Sequence, residues 1–251
     1  MTYKASNKDS SAGKRGTFSE EEVAKFSVIA DEWWDRDGKF KMLHTINPLR
    51  LRFITQSIYK HLGIDKFDDI KILDIGCGGG LVSIPLAKMG ALVEGVDASK
   101  ENVNVASAYA KKQKIDNVKF ENGLIEDLAI NKQFDVILAL EVIEHVNDKQ
   151  LFLTELQKRL KPGGIIILST INRTLKSMLT AKVAAEYILG WLPIGTHSWN
   201  EFVKPDEIKS ALSKDLECKE VVGMKYNMVQ KKWYLDQKDT AVNYFLVIRK
   251  S

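Results

Sequence analysis

The 251-residue sequence is poor in cysteine and proline and contains no long uninterrupted apolar run. Its two cysteines, Cys77 and Cys218, show neither metal-binding nor redox spacing, which excludes a disulfide scaffold and indicates a reducing compartment. The missing apolar run also excludes a bundle of membrane-spanning helices. With 45% hydrophobic and 28% charged residues, the chain has the composition of an ordinary globular protein.

The sequence also lacks a strong excess of charge of either sign. It has 37 Lys and Arg residues against 33 Asp and Glu residues, which gives a formal net charge of +4. No basic block interleaved with aromatic residues is present, so the sequence indicates no nucleic-acid partner. This mild positive charge is compatible with an anionic membrane surface.

The N-terminal part of the chain divides into a tail and a helical region. Residues 1–17 are polar and lack the apolar core of a secretory signal, so they are expected to form a disordered tail. A cytoplasmic location follows as the expectation, and a short organelle-import leader is the alternative. A capping box at 19–22 and Pro48, placed in the first turn of a second helix that stops at Gly63, predict a helical lid over 18–63.

Strands and helices alternate from Lys71 onward, which predicts an α/β fold with a parallel sheet covered on both faces. The core is assigned to 64–251, with an insertion at 171–203 that has much apolar character and no strand pattern. Two late strands are expected to complete a mostly parallel, seven-stranded sheet. The predicted strands are Lys71–Ile75, Leu92–Val96, Val118–Phe120, Phe134–Leu140, Ile165–Ser169, Glu217–Val222 and Val242–Ile248.

A glycine-rich turn follows the first of these strands, in the stretch KILDIGCGGGLVSIPLAKMG. The dinucleotide fingerprint requires a glycine at the sixth position from Gly76, but that position is Leu81, so the strict pyrophosphate pattern is not met. The remaining Asp-x-Gly-x-Gly-x-Gly pattern suits a flat ligand with a charged amino-acid tail, such as S-adenosylmethionine. An ordinary tight turn without a ligand is the alternative.

A carboxylate follows the second predicted strand, about twenty residues beyond the glycines. Asp97 is placed where an acidic side chain can accept hydrogen bonds from both ribose hydroxyls of a nucleoside. The same position also suits a cap for the helix that begins near Ser99, and the two roles are compatible.

Four motifs, LDIGCGGG, GVDAS, FDVILALEVIEHV and LKPGGIIILST, occur in an order and spacing that resemble class I S-adenosylmethionine-dependent methyltransferases. The flanking stretches FSVIADEWWDRDGKFKMLHTINPLRLRFI and STINRTLKSMLTAKVAAEYILGWLPIGTHSWNEFVKP are similar to the ubiquinone-biosynthesis O-methyltransferase family. This resemblance covers nearly the whole chain. It implies a Rossmann-like fold and two O-methylations of phenolic hydroxyls, on a polyprenyl catechol and on demethylubiquinol.

The resemblance also implies which residues bind the cofactor. Carried over by position, the contacts to S-adenosylmethionine fall on Arg50, Gly76, Asp97 and Leu140. The Arg50 guanidinium could bind both oxygens of the methionyl carboxylate and so hold the lid over the cofactor. The alternative is that Arg50 is an exposed arginine on a helix. A complex with other enzymes of the ubiquinone pathway is a further implication.

The stretch EVIEHV carries the candidate catalytic residues Glu141, Glu144 and His145. Spacings of three and four place all three on one face of a helical turn beside the cofactor. The phenol must lose its proton, so this set is expected to bind Mg²⁺ or a similar hard cation. His145 as a metal-free general base is the second interpretation, and a solvated structural turn is the third.

The insertion is expected to have a different role. Apolar residues recur at four-residue steps within Leu175–Trp191, which is typical of a helix with an apolar stripe. Such a helix could lie at an anionic membrane surface, where a polyprenyl substrate dissolves, or could pack over the sheet and wall the pocket. The first interpretation predicts a peripheral membrane protein, in the mitochondrial matrix if the source is eukaryotic.

Three other functions compete with this interpretation. An NAD-dependent oxidoreductase is disfavoured by Leu81 at the position of the third fingerprint glycine. A cofactor-binding scaffold without activity is disfavoured by the intact set of Glu141, Glu144 and His145. A class I methyltransferase that acts on another small lipophilic phenol is the third alternative.

Overall fold

A computed structural model describes residues 23, 24, 27, 30–174, 177 and 201–251 of the chain. The predicted tail at 1–17, the capping box at 19–22 and most of the insertion at 171–203 lie outside the described residues. The assignments made for them therefore remain predictions.

The N-terminal region contains a short 3-10 helix, Ala30–Glu32, followed by helix α1, Lys41–Leu62. Pro48 lies inside α1 rather than in its first turn, so the predicted start of this helix was wrong. A proline removes one backbone N–H donor, and here the helix continues through that gap. The predicted stop is confirmed, because Gly63 has φ 67° and donates its N–H to Tyr59 O at 3.1 Å.

Within the described residues, the central sheet has eight strands in the order β3-β2-β1-β4-β5-β8-β6-β7. Neighbouring pairs among the first five strands are parallel, whereas β5 with β8, β8 with β6 and β6 with β7 are antiparallel. The strands are β1 Lys71–Ile75, β2 Leu92–Asp97, β3 Val118–Asn122, β4 Phe134–Leu140, β5 Leu160–Ile171, β6 Leu216–Asn227, β7 Lys232–Asp236 and β8 Asn243–Lys250.

The mostly parallel α/β architecture is confirmed, but the number of strands is eight rather than seven. The strand missing from the prediction is β7, which is five residues long and has no fully buried residue. A strand at the edge of a sheet buries little apolar surface, so it carries only a weak periodic signal. The seven predicted strands all occur, and several extend further than predicted.

Four α-helices follow α1 within the described ranges. The sequence pattern predicts helices near 81–89, 100–114 and 149–160, and one that begins at Pro205. Helix α2 begins two residues later than predicted, and α3 and α4 occupy their predicted places between strands. Helix α5 begins at the predicted proline. Their bounds are α2 Ser83–Lys88, α3 Lys100–Lys112, α4 Lys149–Lys158 and α5 Pro205–Ser210.

Each face of the sheet carries its own apolar cluster, because side chains alternate along every strand. In β4, Ile137 and Ala139 belong to the cluster that includes Phe152 of α4. Val136 and Leu138 point to the opposite face and belong to the cluster that includes α1 and α2. With both faces covered, the free ends of the parallel strands are where polar side chains can gather.

Candidate active site

The glycine turn at the end of β1 is closed by hydrogen bonds to β2. The N–H groups of Gly76 and Cys77 donate to Val96 O at 2.8 and 3.1 Å. Gly76 has φ 69°, and a Cβ there would overlap the Val142 side chain. A glycine is therefore required at 76 by backbone conformation and by packing against Val142, in addition to any close approach of a ligand.

Asp97 ends β2 and accepts hydrogen bonds with both carboxylate oxygens. Its Oδ2 atom accepts from Gly78 N at 2.8 Å, and its Oδ1 atom accepts from Ser99 N at 2.9 Å and Asn102 Nδ2 at 3.1 Å. The cap of α3 is Ser99, whose hydroxyl accepts from Asn102 N. Burial raises the pKa of Asp97, and these hydrogen bonds oppose the shift.

Asp74, one residue before the end of β1, is a second shielded carboxyl group near the glycine turn. It is buried, and the Ser83 hydroxyl donates to its Oδ2 atom at 2.5 Å. Burial raises the pKa of Asp74 to about 7, the Ser83 hydrogen bond opposes this shift and the charge of Asp97 adds to it. A group with this pKa changes charge within the physiological range of pH.

The N-terminal region covers the glycine turn. The Trp33 ring lies where a Cβ on Gly78 or Gly79 would be, and the Trp33 Nε1 atom donates to Asn102 Oδ1 at 2.8 Å. Trp34 donates to Gly79 O at 3.0 Å. Because Asn102 also donates to Asp97, one side chain joins the cover to the carboxylate at the end of β2.

Arg50 reaches the site from α1. It is buried, and its guanidinium lies 3.7 Å from Glu141 Oε1. Burial lowers the pKa of Arg50, and nearby carboxylates, Glu141 first among them, act in the opposite direction. Within the described chain its Nε atom has no hydrogen-bond partner. An exposed helix arginine, the alternative weighed from sequence, is therefore wrong.

Glu141 and Glu144 meet just beyond the end of β4. Ser169 donates its hydroxyl to Glu141 Oε1 at 2.9 Å, and Thr170 donates to Glu144 Oε2 at 2.8 Å. Burial and the neighbouring Glu141 charge raise the pKa of Glu144 well above its ordinary value. Glu141 has φ 55°, a conformation that is rare outside glycine and is found often at functional sites.

His145 is half-buried at the end of a 3-10 helix, Ile143–His145. In the part of the chain that the structure describes, no group of three or more His, Cys, Asp and Glu side chains is arranged to hold a metal ion. The predicted three-ligand set of Glu141, Glu144 and His145 is therefore not formed. The spacing argument assumed one helical turn through all three, but Glu141 precedes the 3-10 helix and has a left-handed backbone.

The remaining cofactor candidate, Leu140, is the last residue of β4 and is half-buried. It lies at the carboxyl edge of the sheet. Gly76, which follows β1, and Asp97, which ends β2, lie at the same edge. A nucleoside with a carboxylate tail fits three features of this edge: the glycine turn, the carboxylate at the end of β2, and the Arg50 Nε atom, which has no hydrogen-bond partner within the described ranges. S-adenosylmethionine is such a ligand.

Four residues of the site were missed from sequence. Ser169 and Thr170 are two polar residues that directly follow the apolar run IIIL in β5, which is a detectable signal. Trp33 and Asn102 are 69 positions apart, and nothing in their local sequence indicates that they touch.

No helix within the described ranges is both long enough and apolar enough to cross a membrane.

Comparisons with known proteins agree with this architecture. A family profile described as a methyltransferase domain matches residues 66–234. Among solved structures, a magnesium protoporphyrin IX methyltransferase from Synechocystis PCC 6803 with bound SAH is similar in fold, with a TM-score of 0.61 and 19% identity. That similarity covers 90% of this chain and 99% of the other.

Relatives in sequence are more specific. A ubiquinone biosynthesis O-methyltransferase from Pelagibacter ubique (strain HTCC1062) is 48% identical over 233 residues, covering 91% of this chain and 96% of the relative. A mitochondrial ubiquinone biosynthesis O-methyltransferase from Arabidopsis thaliana is 44% identical, over 96% of this chain and 77% of the relative. Identity at this level over nearly the whole chain places the protein in the ubiquinone biosynthesis O-methyltransferase family, within the methyltransferases of the Rossmann-like α/β fold.

Proposed function

We propose that the protein transfers the methyl group of S-adenosylmethionine to a phenolic hydroxyl of ubiquinone precursors. The substrates are a polyprenyl catechol and demethylubiquinol, so that one enzyme serves both O-methylation steps. The observation that carries the proposal is the pair of converging carboxylates, Glu141 and Glu144, beside the Arg50 guanidinium at the carboxyl edge of a methyltransferase fold.

Four residues are proposed to hold the cofactor. The Asp97 carboxylate accepts hydrogen bonds from the ribose hydroxyls, and the glycine turn at Gly76 provides a surface on which the methionyl part lies. The Nε atom of Arg50, which has no hydrogen-bond partner among the described residues, donates to the methionyl carboxylate. Leu140 packs against the adenine ring, a contact that depends on shape rather than polarity.

Methyl transfer is an in-line displacement, and it requires the phenolate oxygen to lie about 3 Å from the methyl group. The residues proposed to prepare that oxygen are Glu141, Glu144 and His145. One of them takes the phenolic proton, and the hydrogen bonds from Ser169 and Thr170 hold the two carboxylates in place meanwhile. His145 as the base without a metal is the second form of this proposal.

In the first form of this proposal, a divalent cation assists the loss of the phenolic proton. The oxygen atoms that converge here, from two carboxylates and two hydroxyls, are of the kind that Mg²⁺ binds together with substrate oxygens and water. Glu141 and Glu144 would hold it, in place of the three-ligand set that the structure does not form. When bound, such an ion lowers the pKa of a catechol hydroxyl.

We also infer that the protein meets its substrate at an anionic membrane surface, as a peripheral protein of the cytoplasm or, in a eukaryote, of the mitochondrial matrix. The argument is physical, because a polyprenyl tail dissolves in the bilayer. The insertion helix proposed for this contact, Leu175–Trp191, lies outside the described residues. Deleting 175–192 tests it, since liposome binding should be lost while cofactor binding is kept. Association with other ubiquinone-pathway enzymes is a further part of the proposal.

A methyl-transfer assay with a short-tailed catechol and S-adenosylmethionine tests the proposed function. Turnover is expected to stop in the presence of a chelator and to return with Mg²⁺, while calorimetry shows little change in affinity for S-adenosylhomocysteine. Full activity in chelator, with a pH profile that disappears in His145→Ala, would instead support the metal-free base. Cofactor binding without transfer to any phenol would contradict the proposal and indicate a scaffold.

A further inference from the structure

A pair of apolar residues is exposed at the tip of the β6–β7 hairpin. Met228 is 77% exposed and Val229 is 93% exposed, which are the highest values among the large apolar side chains of the described chain. Each side chain leaves apolar surface in contact with water, and burying that surface would lower the free energy. Two such neighbours at a protruding tip, rather than scattered singly, call for an explanation in terms of a partner.

The tip is held in a defined shape. The Asn227 side-chain oxygen accepts hydrogen bonds from Val229 N at 3.0 Å and from Gln230 N at 2.9 Å. Asn227 pairs with Lys232 across the hairpin, so the strands close directly below the turn. The exposed pair therefore projects from an ordered turn, and docking the tip requires little ordering of its backbone.

Aromatic rings lie immediately behind the tip. Tyr226 and Trp233 face each other across the two strands with ring centroids 5.2 Å apart. Tyr234, the next residue along β7, is 41% exposed. Tyrosine and tryptophan are the residues that prefer the boundary between water and lipid, because one end of the side chain is apolar and the other polar.

The charge beside the tip is positive. Lys231 and Lys232 are both exposed, whereas Lys225, further from the tip, forms ion pairs with Asp236 at 2.9 Å and Asp239 at 2.7 Å. Lys225 offsets one of these two carboxylates, and over residues 225–239 four lysines stand against two aspartates, which leaves the hairpin with a local excess of positive charge. Such an arrangement complements anionic lipid headgroups.

The hairpin tip lies at the same edge of the sheet as the candidate active site. Asn243 of β8 pairs with Ile171, at the carboxyl end of β5, and also with Met224, near the end of β6. The chain that continues from β6 therefore extends beyond the edge at which β1, β2 and β4 also end. A flat surface that contacted the tip would face the site.

We propose that the β6–β7 hairpin is a membrane-docking element whose tip, Met228 and Val229, enters an anionic lipid surface. Lys231 and Lys232 contact the headgroups, and the exposed rings of Tyr226 and Tyr234 lie at the boundary. The purpose of this docking, to turn the active site toward a substrate held in the bilayer, rests on the proposed function. The lipid binding itself does not rest on it. This contact is separate from the insertion at 171–203.

An environment-sensitive fluorophore at the tip tests the proposal in the full chain. The label is attached to Val229→Cys in a Cys218→Ser background, because Cys77 is buried. The matched control carries the label at Ile130→Cys, which is 69% exposed and precedes β4 at the opposite edge of the sheet. Vesicles that contain phosphatidylglycerol should raise the emission at 229 and leave it unchanged at 130.

Vesicle flotation gives the second measurement. Met228→Ser with Val229→Ser, and separately Lys231→Glu with Lys232→Glu, should weaken binding to phosphatidylglycerol vesicles by about tenfold or more. Ile130→Ser and the pair Lys111→Glu with Lys112→Glu, at the far end of α3, should bind as the parent does. Pure phosphatidylcholine vesicles should bind all variants weakly.

The change in emission of the label on adding vesicles decides whether the docking proposal holds. An unresponsive label at 229, equal responses at 229 and 130, or equal responses to neutral and anionic vesicles would overturn the proposal. So would a change of oligomeric state in the tip variants without lipid, since that would assign the tip to a second copy of the chain. Methylation of a water-soluble short-tailed catechol should be unchanged in the tip variants. If it is absent in the parent while the label responds, the proposed function fails and the docking element stands.

Discussion

Asp97 and Glu144 are both shielded carboxylates at the carboxyl edge of the sheet, but their surroundings differ. Asp97 is surrounded by N–H donors from residues close to it or in the adjoining turn. Glu144 faces a second carboxylate, Glu141, and receives one hydroxyl from β5. Asp97 therefore already has hydrogen-bond donors on both oxygens, whereas Glu144 lies against a second carboxylate, and burial together with the charge of that carboxylate raises the pKa of Glu144.

This difference separates the two tasks of the site. A satisfied carboxylate is held at a fixed position and can accept further hydrogen bonds from a neutral ribose without rearrangement. A crowded pair attracts a proton or a cation, which is what the removal of a phenolic proton requires. This difference agrees with the proposed roles, in which Asp97 belongs to the cofactor-binding half and Glu141 and Glu144 to the half that prepares the phenol.

The largest effect is expected from a change that affects only the half of the site with Glu141 and Glu144. Glu144→Gln should lower turnover on a short-tailed catechol by roughly 10²–10⁴-fold, the usual contribution of a positioned acid or base. Affinity for S-adenosylhomocysteine should stay within about twofold, because Glu144 is not among the four residues proposed to hold the cofactor and Gln keeps an acceptor for the Thr170 hydroxyl. Steady-state kinetics and calorimetry measure the two. Glu217→Gln, an exposed carboxylate at the opposite edge, is the control and should behave as the parent. Equal loss of binding and turnover would mean that the halves are not separate.

A second test uses the pH dependence of stability on the cofactor side. Asp74 has its pKa raised from 3.8 to about 7 in the folded protein, so the folded state keeps this proton when the unfolded state has lost it. Its favourable contribution is complete below about pH 4 and is lost as the pH rises to 7, by up to about 4 kcal/mol.

Asp74→Asn retains an acceptor for the Ser83 hydroxyl and removes the titration. Urea unfolding from pH 4.5 to 8 without cofactor should therefore show the parent losing stability relative to the variant as the pH rises. A constant difference between the two proteins across that range would show that Asp74 titrates normally.

The third effect is confined to the binding half. Asp97→Ala should weaken binding of S-adenosylhomocysteine by roughly 1.5–3 kcal/mol, the range for hydrogen bonds to a charged group. Calorimetric titration measures this loss, and circular dichroism checks that the fold survives. Asp135→Ala, which removes a carboxylate at the start of β4, is the control and should leave affinity unchanged. Unaltered binding in Asp97→Ala would remove the residue from the site.

The smallest effect concerns the link between the cover and the binding half. Asn102→Ala removes the hydrogen bonds to Trp33 and Asp97, and should weaken S-adenosylhomocysteine binding by about 1 kcal/mol. Trp33→Phe keeps an aromatic ring over the glycine turn and removes only the Nε1 donor, so it should cost less than Asn102→Ala. Tryptophan fluorescence during the titration reports the cover directly. Equal affinities in all three proteins would show that the cover and Asp97 are uncoupled.

The local parts of the fold could be predicted from sequence. Buried strands such as Phe134–Leu140 carry continuous apolar runs, and the turn after Lys71–Ile75 is marked by glycines that a left-handed backbone needs. Edge strand β7 was missed because its burial is slight. The start of α1 was misplaced because a helix can continue past an internal proline when packing holds it.

The candidate site was predictable as residues but not as an arrangement. The sequence by itself determined the cofactor class once its motifs are taken together. The glycine pattern and a carboxylate about twenty residues later are set by short-range constraints on strand ends and turns, and they occur in the motif order of class I methyltransferases. Only the tertiary structure decided that Arg50 meets Glu141, that Trp33 covers the glycines through Asn102, and that His145 does not complete a three-ligand set. These contacts join segments far apart in the chain, and their geometry depends on how α1, β4 and β5 pack together rather than on any local pattern.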